Sequence, residues 1–176
     1  MSRAERSLPW APRPFEGEAL GSWVGRLAAV YGMTVDEFAA YAGLTVDLSG
    51  SGANWLAVPG ISLGDRQRLS ALCRLPVGDL PAPCKADKPA RLAYCHRCLY
   101  LNPLDVTAPY WRASWLVGVD NPRCATHDQR YEYTSLAALR QHRNMKSLLH
   151  FISQTREARQ RAAAWRQWTL AWFVAR

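Results

Sequence analysis

Two pairs of side chains in this sequence have the types and spacing of metal ligands. Two residues separate Cys95 from Cys98, two separate Cys124 from His127, and 25 residues lie between the pairs. Zinc prefers four sulfur or nitrogen ligands in a tetrahedron, and this spacing lets one tight turn present two of them. The pattern predicts one zinc ion, which is structural because four protein ligands leave no position for a water. The alternative interpretation is unrelated thiols and a hydrogen-bonded histidine.

The remaining cysteines and histidines are less well placed for metal binding. His96 lies inside the first pair, where its position makes it an awkward competitor ligand. Cys73 and Cys84 lack partners, and Cys73 falls on the apolar side of a predicted helix, which favours a core position. The odd number of cysteines argues against a disulfide framework. His142 and His150 are isolated and receive no role.

No pattern typical of catalysis is present. The sequence has no nucleophile elbow, P-loop, HExxH motif or paired carboxylates beside a nucleophile, and no H-x-E precedes the cysteines. We therefore expect a protein that is not an enzyme and has no small-molecule substrate. It shows no signal peptide, and its longest apolar stretch, Trp168 to Ala175, is too short to span a bilayer. A cytoplasmic protein without a membrane partner is the prediction.

Positive charge is concentrated in the second half of the chain. Residues 1–90 carry nine basic and nine acidic residues, whereas residues 91–176 carry thirteen basic and five acidic residues. This asymmetry predicts that the second half meets a polyanion, although basic helices that only aid solubility are the alternative. The predicted nucleic-acid-binding residues are Arg140, Arg143, Lys146, Arg156, Arg159 and Arg161.

Helical periodicity and capping signals predict a helix-turn-helix near the N-terminus. Apolar residues recur at helical spacing from Ala19 to Tyr31, and Gly32 ends this helix. Thr34 and Glu37 form a predicted capping box for a second helix. That helix begins with two acidic residues and contains no Lys or Arg, which favours a structural or protein-binding unit over a DNA-reading one.

Part of the helix-turn-helix sequence recurs later in the chain, and we call this similarity the internal echo. Residues 27–38 can be aligned with residues 69–80 with apolar positions kept, which predicts a second helix-turn-helix unit. Trp55 is a predicted anchor in the connector between the units. Ser62 and Asp65 resemble a second capping box at the start of the next helix, which is predicted to end near Arg74. A short further turn is then predicted from Pro76 to Pro81.

Aromatic residues near both ends of the chain could belong either to the core or to a binding surface. Trp10 and Phe15 lie on a proline-rich arm, and they pack either on their own domain or on a partner protein. From residue 134 onward the chain is predicted helical, with a break between residues 144 and 155. Trp165, Trp168 and Trp172 recur at helical spacing among arginines, which indicates a core-facing stripe in preference to base stacking.

These features together predict a mainly α fold with a small zinc ribbon. We divide the chain into an extended proline-rich arm at 1–17, a helix-turn-helix region at 18–81, a zinc-ribbon module at 90–133 and basic C-terminal helices at 134–176.

Three motifs in order resemble the TniQ family, the target-selection proteins of certain DNA transposons. They are Pro14-x2-Gly17-Glu18-x-Leu20-x-Ser22-Trp23-x2-Arg26-Leu27-Ala28, then Tyr94-Cys95-x2-Cys98-Leu99, then Pro109-Tyr110-Trp111-Arg112-x-Ser114-Trp115 followed by Cys124-x2-His127. The sequence departs from the family pattern at His96, where the family usually has proline, and at Asp128, where it usually has glycine.

The resemblance implies a non-catalytic adaptor for selecting the target of transposition. Such proteins link a target-recognising element to an AAA+ ATPase, which in turn recruits the transposase. The short chain is similar to compact members associated with CRISPR-linked transposition, which implies contact with DNA, guide RNA or both in a CRISPR effector complex. Trp10 and Phe15 would then dock on protein. The rival functions are a sequence-specific helix-turn-helix regulator and a structural zinc module of another complex.

Overall fold

The fold is mainly helical, as the sequence predicts. A two-stranded antiparallel sheet pairs residues 91–94 with residues 132–135. A computed structural model describes residues 7–46, 55–58, 60–82, 91–100, 109–116 and 123–174, with side chains described as far as residue 168. The helices are α1 (Leu20–Val30), α2 (Val35–Tyr41), α3 (Leu63–Cys73), α4 (His96–Tyr100), α5 (Leu136–Gln141) and α6 (Met145–Val174). The strands are β1 (Arg91–Tyr94) and β2 (Glu132–Ser135), and single 3-10 turns lie at Trp55–Ala57, Val77–Asp79 and Ala113–Trp115.

The predicted N-terminal helix-turn-helix is confirmed. α1 buries Trp23, Leu27 and most of its other apolar side chains in the core. Both bonds of the capping box are present at the start of α2. The Glu37 amide donates to Thr34 Oγ1 at 3.0 Å, and the Thr34 amide donates to Glu37 Oε2 at 2.7 Å.

The internal echo is present in the backbone at the ends of α1 and α3. Gly32 has φ +66° and its aligned partner Arg74 has φ +55°, so both helices end in a left-handed residue. The next amide in each unit donates to the carbonyl five residues earlier, at 2.9 Å from Met33 and at 3.0 Å from Leu75.

The two units differ after this turn. The first continues into α2, whereas the second makes only the 3-10 turn Val77–Asp79. The prediction of a full second helix from the alignment with the first unit is therefore wrong, whereas the short turn predicted from Pro76 to Pro81 is confirmed. Gly78 weakens helix formation, and Pro81 keeps Leu80 in an extended conformation at ψ 144°.

Only half of the second predicted capping box is observed. Ser62 Oγ accepts the Asp65 amide at 3.0 Å, but the buried Asp65 carboxylate is used elsewhere. It accepts the amide and the hydroxyl of Thr45 at 2.8 and 2.7 Å and pairs with Arg68 at 3.1 Å. Burial by itself would raise the pKa of Asp65, but these hydrogen bonds lower it overall. Asp65 therefore fastens the segment after α2 to α3.

The N-terminal arm is part of the core. Leu8 is buried, and its amide donates to the Leu72 carbonyl at 2.8 Å. Farther along, the Trp23 indole donates to the Pro12 carbonyl at 2.7 Å. The arm thus runs against α3 and then against α1, and removing it would expose apolar surface on both helices.

The C-terminal part departs from the sequence prediction at two points. The chain is extended, not helical, as far as Ser135, because β2 pairs with β1 through residue 135. The predicted break in the C-terminal helices is present, but it does not lie within residues 145–155. The interruption comes earlier, at residues 142–144, and α6 then continues for 30 residues. Asn144 fixes this start, because its side chain accepts the Ser147 amide at 3.1 Å and donates to the Met33 carbonyl at 2.8 Å.

The outer part of α6 leaves the body of the protein. Residues 157–168 are all exposed, with Trp165 at 66% and Trp168 at 61% of their full accessible surface. The interpretation of these two tryptophans as a core-facing stripe is therefore wrong. In the part of the chain that is described, no helix combines the length and apolar character needed to cross a bilayer.

Candidate metal centre

Local backbone structure presents each ligand pair from a turn. Cys95 follows β1, and Cys98 lies in the short helix α4, whose Leu99 amide donates to the Cys95 carbonyl at 2.9 Å. Cys124 and His127 occupy a second turn, closed by the Asp128 amide on the Cys124 carbonyl at 2.8 Å. Pairing of β1 with β2 holds the first turn against the segment that follows the second.

The four predicted ligands come together. Their ligand atoms all lie within 4.8 Å of one another. His127 Nδ1 is 3.2 Å from Cys98 Sγ and 3.6 Å from Cys95 Sγ, and Cys98 Sγ is 3.6 Å from Cys124 Sγ. Zinc bonds of about 2.3 Å to sulfur and about 2.0 Å to nitrogen give tetrahedral edges of about 3.5 to 3.8 Å. The cluster could therefore hold a metal ion of this size.

Electrostatics in the cluster also suit a cation. Burial, together with the neighbouring thiols, raises the pKa of Cys98 to about 12, and burial raises that of Cys95. At Cys124 burial opposes ionisation, but hydrogen bonds from His127 and the Thr126 amide lower its pKa to about 6. A divalent cation would favour the thiolate form at all three positions, because it supplies the charge that burial removes.

The two departures from the family pattern have local explanations. His96 is the first residue of α4, a position where proline is favoured because the amide is not needed for helix bonding. Its ring packs 5.0 Å from the Tyr100 ring and lies outside the ligand cluster. Asp128 has φ +46°, a conformation that favours glycine but that aspartate tolerates. Arg123 holds Asp128 through an ion pair of 3.0 Å.

An aromatic wall connects the ligand cluster to the main core. Trp111 is completely buried, with its ring 5.4 Å from that of Tyr94 and 5.8 Å from that of Trp115. Cys95, Cys98 and Cys124 belong to the same continuous core as these rings.

Backbone hydrogen bonds join this wall to the start of α1. The Ala19 amide donates to the Trp111 carbonyl at 2.8 Å, and the Ala113 amide donates to the Gly17 carbonyl at 2.9 Å. The Trp111 amide donates to Ser22 Oγ, also at 2.8 Å. The first and third motifs named in the sequence are therefore one structural unit, although about ninety residues separate them.

Glu18 lies at the centre of this unit, although the sequence predicts no role for it. Its buried carboxylate accepts Arg26 at 2.7 Å, Ser22 Oγ at 3.0 Å and the Phe15 amide at 3.0 Å. Burial raises the pKa of Glu18, against the lowering effect of Arg26 and the other donors. Ser22 and Arg26 lie one turn apart on α1, whereas Glu18 precedes the N-cap residue Ala19, so the four-residue spacing of the three was the signal available in the sequence.

The two predicted docking aromatics have different surroundings. The Phe15 side chain is half-buried, and its ring packs 4.3 Å from the Arg26 guanidinium and 4.9 Å from the Tyr110 ring. Trp10 is 60% exposed, although its backbone is held by Tyr31, whose hydroxyl donates to the Trp10 carbonyl. Trp10 is thus the one of the pair whose ring is available to a partner.

The predicted nucleic-acid-binding residues are spread along α5, α6 and their junction. Arg156 is half-buried and pairs with Glu132 at 3.1 Å, and Arg143 lies 4.0 Å from Glu37. The other four side chains are exposed and are Arg140, Lys146, Arg159 and Arg161.

Comparison with protein families identifies one match. The family model described as TniQ matches residues 9–131, which includes residues 9–17 of the arm, the helix-turn-helix and all four cluster residues. A search of curated proteins finds no match.

Proposed function

Because the chain belongs to the TniQ family, whose members are transposition-associated adaptors, we propose that it links a target-recognising complex to an AAA+ ATPase. The ATPase recruits the transposase, so contact with the transposase is indirect. In this proposal the chain itself carries out no catalytic step. One structural zinc ion, held by Cys95, Cys98, Cys124 and His127, stabilises the scaffold.

The observation that carries this proposal, besides family membership, is a pair of separated and chemically different surfaces. One surface surrounds Trp10, near the end of α1. α6 begins close to that end, since Asn144 bonds to Met33, and it then runs past Glu132 into solvent. With a rise of about 1.5 Å per residue, Trp165 lies about 30 Å along α6 from Met145. An adaptor needs two such surfaces to contact two partners at once.

The N-terminal surface suits a protein partner. Residues 1–90 carry no net charge, and Trp10, Val30 and Tyr41 are large exposed apolar side chains. Tryptophan and tyrosine are enriched among residues that dominate binding energy at protein interfaces. We assign the ATPase to this surface, with Trp10 as its anchor.

The second half suits nucleic acid. Arg140, Lys146, Arg159 and Arg161 present exposed positive charge, and a guide RNA or the target DNA of a CRISPR effector would supply phosphates. Arg156 would contribute only after exchanging Glu132 for phosphate, whereas the exposed Arg143, 4.0 Å from Glu37, would contact phosphate directly.

A sequence-specific regulator is a weaker candidate. The first turn of α2 holds two acidic residues, Asp36 and Glu37, and Glu37 is used in the capping box. Negative charge at the end of a recognition helix opposes entry into a DNA groove.

The ATPase assignment can be tested by capture of the transposon's AAA+ ATPase on immobilised protein. Trp10→Ala is expected to weaken capture at least about thirtyfold, in line with a hot-spot loss of about 2 kcal/mol or more. Trp165→Ala is the matched control, because it removes an exposed tryptophan from the other surface. Equal capture by Trp10→Ala and wild type, with unchanged melting, would contradict the assignment.

The nucleic-acid assignment predicts a steep dependence of affinity on salt. Each phosphate contact contributes about 0.9 to the slope of log K against log salt concentration. Changing Arg140, Arg159 and Arg161 to glutamine should reduce that slope by up to about 3. Undetectable binding of duplex DNA and RNA at low salt would leave the basic half without this function.

A further inference from the structure

The outer part of α6 presents aromatic side chains on the face opposite the one that packs on the protein. Met145, Leu148 and Ile152 form the buried stripe of this helix. Residues in an α-helix advance by about 100° each, so Trp165 and Trp168 point about 220° and 160° away from Ile152. No bending of α6 toward the body along its packed face would bury these rings.

The two tryptophans form a single apolar surface with positive charge beside it. Their ring centroids are 5.6 Å apart with an interplanar angle of 34°. Arg161 lies one turn before Trp165 on the same face, and both are exposed. Arg159 and Arg166 are on the opposite side of the helix, so Arg161 is the arginine of this segment that shares the face of the aromatic pair.

From this surface we infer that Trp165 and Trp168 bind unpaired bases of single-stranded nucleic acid, while Arg161 beside them contacts its phosphates. Aromatic side chains stack on any base, but only where the base face is free of a neighbouring base. The inference deepens the proposed function, because it states which form of nucleic acid the second half prefers.

The positive charge of the outer part of α6 favours nucleic acid over a second copy of the chain as its binding partner. The exposed segment 157–168 contains Arg159, Arg161 and Arg166 against the single acidic residue Glu157. Two such helices side by side would repel each other, whereas a polyanion is attracted. The chemistry is common to DNA and RNA, so the two sources must be distinguished by experiment.

Fluorescence anisotropy with labelled oligonucleotides tests the inference. The probes are single-stranded dT and rU of about 20 nucleotides, longer than the roughly 4 to 16 nucleotides that stacking platforms occupy, and a duplex of the same length. The double variant Trp165→Ala/Trp168→Ala should bind the single strands at least about tenfold more weakly and bind the duplex as wild type does. Tighter binding of dT than of rU would identify DNA as the source, and the reverse would identify RNA.

Two variants serve as controls. Trp165→Phe/Trp168→Phe keeps an aromatic face at both positions and should retain most of the single-strand affinity. Trp10→Ala removes a distant exposed tryptophan and should leave it unchanged. Because both α6 side chains are exposed, the alanine variants should melt at the wild-type temperature.

Three results would overturn the inference. The first is that the alanine variant binds single strands as tightly as wild type, and the second is that it loses the same affinity for single strands and for duplex. The third is that light scattering shows concentration-dependent dimers of the wild type that the alanine variant does not form. The proposed function does not depend on this inference being correct. Capture of the ATPase through Trp10 uses the other surface and would still be measured independently.

Discussion

Removing the metal should unfold much more than the two turns that bind it. The perturbations are chelation and the substitution Cys98→Ser, which takes away one of the four ligands. Structural zinc contributes on the order of 10 kcal/mol to the folding of small modules. A domain of this size has a total free energy of unfolding of about 5 to 15 kcal/mol. The free energy lost with the ion is therefore comparable to the total stability of the domain.

Contacts between the ligand cluster and the rest of the protein determine which elements should unfold when the metal is removed. The cluster shares its core with Trp111, whose backbone is bonded to Ala19 and to Ser22 at the start of α1. We therefore expect α1 and the helix-turn-helix to lose stability together with residues 91–131. A separable ribbon would leave α1 intact, and this structure does not favour that outcome.

Metal analysis and thermal unfolding followed by far-ultraviolet circular dichroism measure this effect. We expect one zinc per chain in protein purified without chelator, and a single unfolding transition that moves to much lower temperature after chelation. Cys73→Ser is the matched control, because Cys73 is buried but lies outside the ligand cluster. It should keep the metal. Protein with no zinc, or a chelated protein that melts normally, would refute the reasoning.

Three further predictions concern buried contacts. Arg26→Leu leaves the buried Glu18 carboxylate without its cation and should cost about 3 to 5 kcal/mol in urea unfolding, whereas adding Glu18→Gln should recover part of the loss. Because the pKa of Asp65 is lowered, its carboxylate stabilises the fold above pH 3.8, and this contribution is lost as pH falls through the lower folded value. Asp65→Asn should flatten that acid-side loss in urea melts across pH, and an unchanged slope would contradict the assignment. Gly21→Ala places a Cβ against the Trp55 carbonyl and should cost at least about 1 to 3 kcal/mol, so wild-type stability in the variant would be incompatible with this packing.

Local signals explain what was predictable in this fold. The capping box at Thr34, the apolar stripe of α1 and the ligand spacing around Cys95 each depend on residues close in sequence. Trp55 was also predicted as an anchor, and its indole is indeed buried and donates to the His142 carbonyl at 3.1 Å.

Features that depend on distant partners were not predictable from one sequence. β1 and β2 are four residues each and are stabilised by pairing across about forty residues, so neither has a strong pattern of its own. The role of Glu18 depends on packing against the segment around Trp111. The tryptophans of α6 have the spacing of a core stripe, and only the register of the helix shows that they face away from the core.

The hydrogen bond between Ser22 and the Trp111 amide also has a consequence for the order of events during synthesis. It closes a loop of 89 residues, and α1 further needs Trp55 and the start of α6 before its buried face is covered. Contacts this distant in sequence slow folding, because the entropy of loop closure is lost before the contact forms. On the ribosome, α1 would emerge long before two of its packing partners, and only the arm and α2 would be available to it early. We expect the nascent chain to keep an exposed apolar helix until about residue 150 has left the exit tunnel, and to depend on chaperones during that interval.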